Sequence, residues 1–184
     1  MGMEVVRPNR FLHQKIASVF TGKDYYNFGI GKTKVVTDKH HGSVSVDENG
    51  SIVIDGAQNA KIKGGWKADD ITVKNSTVEV LKGGMGSDKI TVENSDLNQI
   101  YGNMGRDLVH INNSYVDKVD LGMGKDELTA KDSKIEEIKC GWGKDSVETD
   151  GGYTGTVDDG AWWRREKVVL RNDPINPTPL PEMR

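Results

Sequence analysis

Five aspartates, Asp69, Asp88, Asp107, Asp126 and Asp145, stand nineteen residues apart, each three places after Trp66, Met85, Met104, Met123 or Trp142. The same step carries Ile52 through Ile71, Ile90, Val109 and Leu128 to Val147, and Ile54 through Val73, Val92, Ile111 and Ala130 to Thr149. A second apolar set falls on Val78, Leu97, Val116 and Ile135, and on Ile62, Leu81, Ile100, Val119, Ile138 and Val157. A period held through so many columns constrains the fold more than any local pattern does. Each unit must take the same conformation and meet its copies in the same way.

Within a unit the first apolar pair lies two residues apart and is mostly β-branched, which predicts a strand with one buried face. The second pair lies three apart, so a bend or bulge is expected between its members. Asn75-Ser76, Asn94-Ser95 and Asn113-Ser114 join the two, becoming Asp132-Ser133 and Gly151-Gly152. Asparagine in a stacked turn can bond its amide to the same residue one coil along, while serine is small enough to point inward at a corner. A hydrophobic share of 35% with 22 glycines suits repeated turns better than packed helices. One unit cannot bury its own apolar face, but stacked on copies of itself it can. The expected fold is all-β: a parallel β-helix, or solenoid, of about nineteen residues per coil, with its coils in residues 43–158.

The ends of such a stack must differ from its middle, because a terminal coil exposes core and unpaired strand edges. Residues 1–42 are expected to cap the N-terminal end in helical or irregular form, since Phe11, Leu12, Ile16, Val19 and Phe20 fall roughly at helical spacing. Residues 159–171 form a capping coil: Gly160 keeps the step, Glu166 falls where a core residue is due, and Trp162, Trp163 and Val168 to Leu170 make a lid. Residues 172–184 hold four of the five prolines, as an extended tail or partner-binding arm.

Charge and composition exclude several classes. A net charge of −3 with interspersed signs offers no footprint for nucleic acid. Cys140 is the only cysteine, so it makes neither an intrachain disulfide nor a thiolate metal finger, and it reads as a small filler. No apolar run is long enough to span a membrane. The first residues carry no cleavable signal peptide, which points to the cytoplasm or to export without one. Gly29 to Thr33 mimics the end of a phosphate loop, but Tyr26 stands where that loop needs glycine. His40-His41 reads as a solvated turn, and His110 as a surface residue in an outward column with Thr72, Thr91 and Thr129.

Gly83-Gly84-Met85-Gly86-Ser87-Asp88-Lys89-Ile90-Thr91 resembles the glycine- and aspartate-rich repeat of calcium-binding β-rolls in secreted bacterial RTX proteins, with partial matches ending at Asp69, Asp107, Asp126 and Asp145. The other half of each unit is similar to right-handed β-helices of the pectate-lyase type. The first resemblance implies Ca²⁺ held by Asp69, Asp88, Asp107, Asp126 and Asp145, a hard cation suited by carboxylate and carbonyl oxygens. It also implies secretion with calcium-stabilised turns. The second implies an extended polysaccharide along a strand face. One departure bears on the calcium expectation. Ala68, Ser87, Arg106, Lys125 and Lys144 precede the aspartates where the RTX pattern has Asn or Asp, and the three cations among them can pair with the carboxylates. The alternative for the aspartates is a turn role, accepting nearby backbone N–H groups.

Trp66, Met85, Met104, Met123 and Trp142 are expected to project from a tight turn as an apolar ladder, with tryptophan at both ends. The alternative folds them inward as a core column or covers them with the N-terminal segment. With Trp162 and Trp163 they are the candidate contacts for a protein partner or for self-association. The expected function is non-enzymatic binding or assembly. A polysaccharide-active enzyme is the rival, although Glu93, Asn112 and Lys131 make only a mixed outward column. A filament-forming subunit is another.

Overall fold

A computed structural model describes residues 14–17, 23–28, 32–38, 41–158, 160 and 167–171, with the backbone alone for 14–17. Among these residues every regular element is a strand. Four come first: β1 (Gln14–Ala17), β2 (Lys23–Asn27), β3 (Lys34–Asp38) and β4 (Ser43–Val46). Then β5 (Ile52–Asp55) and β6 (Ala60–Lys63) make the first coil, β7 (Asp70–Lys74) and β8 (Thr77–Met85) the second, and β9 (Lys89–Glu93) and β10 (Asp96–Met104) the third. The fourth is β11 (Leu108–Asn112), β12 (Tyr115–Asp120) and β13 (Met123–Gly124). The fifth is β14 (Glu127–Lys139) with β15 (Trp142–Gly143), the sixth β16 (Ser146–Asp158), and β17 (Lys167–Arg171) adds part of another.

The expected columns are the observed pairing register. Ile52 pairs with Ile71, and the parallel ladder continues through Ile90, Val109 and Leu128 to Val147. On the other side Leu81, Ile100, Val119, Ile138 and Val157 follow one another. Ile71, Val73, Leu81, Ile90, Val92 and Ile100 are all fully buried. Each such side chain contributes roughly 1.5–3 kcal/mol when taken out of water. The three-residue spacing is met by a break in the ladder: the pairing passes from Leu97 with Val116 to Gln99 with Lys118, skipping Asn98 and Asp117.

Asn75, Asn94 and Asn113 turn the chain with φ of +48°, +49° and +45°, a left-handed conformation that asparagine tolerates. Asn113 donates its amide to Asn94 Oδ1 at 2.8 Å, the coil-to-coil bond expected of this column. Asn75 bonds Asp55 instead, at 2.8 Å.

Both strands of the first coil have an antiparallel neighbour. β4 pairs with β5, and β3 with β6, while β2 and β1 extend the sheet outward. Parallel stacking therefore starts at Ile52, later than the expected boundary at residue 43. Asp47-Glu48-Asn49-Gly50, between two alternating runs, is a hairpin turn: Asp47 Oδ1 accepts the N–H groups of Asn49 and Ser51, each at 2.9 Å. The helical alternative for residues 9–20 is corrected at residues 14–17, which lie in β1. Unpaired N–H and C=O groups on the edge of β2 favour a further strand there over a local helix. The rest of that segment lies outside the described residues. At the other end β17 pairs in parallel with the first part of β16, Val168 on Val147 and Leu170 on Thr149. Trp162, Trp163 and the proline-rich tail lie outside the described residues.

Candidate functional site

Each coil has two polar corners, and the functional candidates gather at the glycine-rich one. Gly84 and Gly86, with φ of +117° and +114°, flank Met85 and turn its side chain away from the core. A Cβ on Gly105, the next copy of Gly86, would lie 1.7 Å from the Gly86 carbonyl oxygen, so the coils approach there at a distance only glycine allows. Met85, Met104, Met123 and Trp142 follow one another in parallel register. Their exposure decides between the two directions left open by the sequence: 49%, 48%, 53% and 69%, with Trp66 at 70%. These five side chains make an outward row along one edge of the stack. Strand spacing of about 4.8 Å gives it a length of about 19 Å.

The aspartates face the other way. Asp88, Asp107, Asp126 and Asp145 are buried, and Asp69 is partly so. Each Oδ1 accepts the backbone N–H of the aspartate one coil earlier: Asp69 N to Asp88, Asp88 N to Asp107, Asp107 N to Asp126 and Asp126 N to Asp145, at 2.8–2.9 Å. At the start of the column Asp69 Oδ2 accepts from Gly65 N at 2.7 Å. Asp88 and Asp107 have no hydrogen-bond partner at Oδ2 among the described residues. Those oxygens lie over Gly83 and Gly102, where a Cβ would come within 2.5 and 2.6 Å of them.

Burial pushes the Asp88 carboxyl up to about 7; the N–H of Asp69 opposes the rise, and the charges of Asp107 and Asp69 add to it. Asp107 is raised by burial against the N–H of Asp88. Carboxylates stacked about 5 Å apart repel by roughly 3 kcal/mol at an effective dielectric of 20, so Asp88 and Asp107 do not ionise independently of each other.

A calcium site asks for six or more oxygens around one point. Here each Oδ1 is directed at an N–H donor, and among the described residues no three His, Cys, Asp or Glu side chains converge on a possible ion. Side-chain carboxylates alone do not supply that donor set among the described residues. Ser87, Arg106, Lys125 and Lys144 are exposed while the neighbouring aspartates are buried. The cations therefore line the outside of the corner, flanking the methionine row, and do not sit beside the carboxylates.

Elsewhere the outward faces carry ion pairs between successive coils: Lys74 with Glu93 at 3.1 Å, Lys89 with Asp70 at 3.3 Å and Lys61 with Glu79 at 2.7 Å. Glu93, Asn112 and Lys131 do form one outward column, with Glu93 engaged by Lys74. His110 stands between Thr91 and Thr129, as its column implied. One cluster escaped the sequence reading. Lys134 Nζ lies 5.2 Å from the Tyr115 ring centre and 5.5 Å from that of Tyr153, and 2.7 Å from Glu136. The nineteen-residue step from Tyr115 to Lys134 to Tyr153 was its available signal. A hydrogen bond to Asp117 leads the effects that push the Tyr115 hydroxyl up to about 12, with nearby acidic charges adding to it.

Compared with protein-family models, with curated proteins and with solved structures, the chain matches none. The class rests on the fold itself: a parallel β-solenoid of about six turns with antiparallel strands closing its N-terminal end. No helix among the described residues is long and apolar enough to cross a membrane.

Proposed function

We propose that this solenoid is a non-enzymatic binding or assembly protein whose contact surface is the Trp66–Met85–Met104–Met123–Trp142 edge. One observation carries the reading: Met85, Met104, Met123 and Trp142 stand in register through backbone pairing, with Trp66 nineteen residues before Met85, and all five are 48% exposed or more. Their spacing is fixed by backbone pairing, so the row is preorganised and loses little freedom on binding. Methionine adapts to an irregular partner, and tryptophan supplies the largest contact area. Calcium is not needed for this role. The aspartate column beneath the edge ties one coil to the next, and the RTX-like glycines serve the close approach of the turns. End-to-end filament growth is opposed at the N-terminal end, where β3 and β4 already occupy both strand edges.

The test replaces Met85, Met104 and Met123 together by alanine in the tagged full chain. In size-exclusion of extract from its source cells, the wild type should elute in a larger complex than the variant. Identical elution overturns the reading. A fall in melting temperature of more than about 10 °C would instead assign the methionines to the core.

A further inference from the structure

The exposed row reads the same in both directions: tryptophan, three methionines, tryptophan. Its spacing also selects among partners. An α-helix repeats every 5.4 Å and drifts by about 0.6 Å per rung against a 4.8 Å ladder; an extended strand presents one face every ~6.8 Å and loses register after one rung. Another edge of the same kind keeps step along the whole row. A self-complementary surface of this sort is what a two-fold axis requires.

Resting on the reading of this edge as a binding face, we propose that its partner is a second copy of the chain. The two edges run antiparallel about a two-fold axis through Met104. Met104 then meets the partner's Met104, Met85 meets the partner's Met123, and Trp66 meets the partner's Trp142.

The columns beside the ladder fit the same axis. On one flank Lys89, Leu108 and Glu127 succeed one another in register. Reversed on itself, this column sets Lys89 near the partner's Glu127 and Leu108 near the partner's Leu108. On the other flank the column is Lys82, Tyr101 and Asp120, and its reversal sets Lys82 near the partner's Asp120. The cation row is reversed as well: Lys125 falls opposite the partner's Ser87, and Lys144 opposite the partner's Ala68. Two like-charge approaches remain. Arg106 faces the partner's Arg106 on the axis, where its long side chain can lie along the edge with its head in water. Lys63 faces the partner's Lys139, and Lys139 also pairs with Glu137 at 3.3 Å within its own chain. A parallel pairing of the edges would lose the Lys89–Glu127 and Lys82–Asp120 matches.

The test uses the purified full chain. Sedimentation should show dimers forming below roughly 1 mM, the concentration at which a contact worth only ~4 kcal/mol is half formed. Met104→Lys, at a half-exposed position, should weaken dimerisation by about 100-fold, since like charges then meet at a desolvated axis. With a short bis-maleimide, Met104→Cys should cross-link to itself. Met85→Cys and Met123→Cys should each fail alone and cross-link when mixed. Cys140 is fully buried and should not react. A chain that stays monomeric at 1 mM, or a Met85→Cys that cross-links alone as well as Met104→Cys does, overturns the antiparallel dimer. If the purified chain is monomeric yet the alanine variant still elutes later than wild type from extract, the second copy is excluded and the binding edge stands. If both experiments fail, both readings fall.

Discussion

The two corners of each coil solve the same problem with different chemistry. At the asparagine corner Ser76, Ser95, Ser114 and Ser133 point inward, and at the glycine corner Asp88, Asp107, Asp126 and Asp145 do. In both, a side-chain oxygen accepts the N–H of the equivalent residue one coil earlier, as Ser95 N donates to Ser114 Oγ at 3.1 Å and Asp88 N to Asp107 Oδ1 at 2.9 Å. Serine has a proton to give back: Ser114 Oγ donates to the Asn112 carbonyl at 2.7 Å. A carboxyl oxygen has no such return bond here: at Asp88 and Asp107 the second oxygen is buried without a hydrogen-bond partner among the described residues. The same ladder is thus neutral and closed at one corner and titratable at the other. The titratable corner also carries the exposed tryptophans and methionines.

Substitutions can break this contrast, starting with the backbone. Gly105→Ala places a methyl group against the Gly86 carbonyl at φ +145° and should lower unfolding stability by at least about 3 kcal/mol in a denaturant titration. Asn94→Ala, at φ +49° on the serine corner, should lower it by only about 1 kcal/mol. Next comes the loss of one rung. Ser114→Ala leaves the buried N–H of Ser95 without its acceptor and should lower stability by about 1–3 kcal/mol, with a loss that is the same at pH 5 and pH 8.

The aspartate corner should instead respond to pH. With its folded-state value raised to about 7 from 3.8, Asp88 binds more proton folded than unfolded between those values. Its contribution therefore favours the fold at low pH and is lost as pH rises from about 4 to 7. Asp38 acts in the opposite sense. Lys23 and Asn59 each hold it at 2.7 Å and keep its carboxyl below the usual range, so its contribution is lost as pH falls below about 4. Melting curves should accordingly peak at about pH 4 and decline toward pH 7. Asp88→Asn, which keeps the acceptor for Asp69 N and removes the charge, should flatten the decline toward pH 8. An unchanged decline would place the titration elsewhere. The smallest effect is expected from chelator or added Ca²⁺, with no shift in melting temperature; a rise of several degrees with Ca²⁺ would reverse the assignment of the aspartates.

Much of this was legible in the residues. The nineteen-residue columns named Ile71, Ile90 and Val109 as stacked core positions, and the three-residue step marked where the ladder breaks. Serine at the corner read correctly as an inward residue because its size leaves little else for it to do. The first strands were harder. Ser43 to Val46 alternates in the way a coil strand does, and alternation fixes which face is buried but not which neighbour the strand pairs with. Only the open edges of β5 and β6, which exist once the coil has formed, decide that β4 and β3 run antiparallel to them.

The period by itself determined the architecture, because parallel ladders lock equal residues together and a constant step leaves no other stacking. It did not determine where a turn residue points. At Met85 and Asp88 that direction follows from the left-handed backbone at Gly84 and Gly86, and sequence spacing carries no information about φ there. Tertiary structure alone put the carboxylates inside and the methionines and flanking cations outside, because at a corner the path of the chain, and not its periodicity, sets the direction of each Cβ.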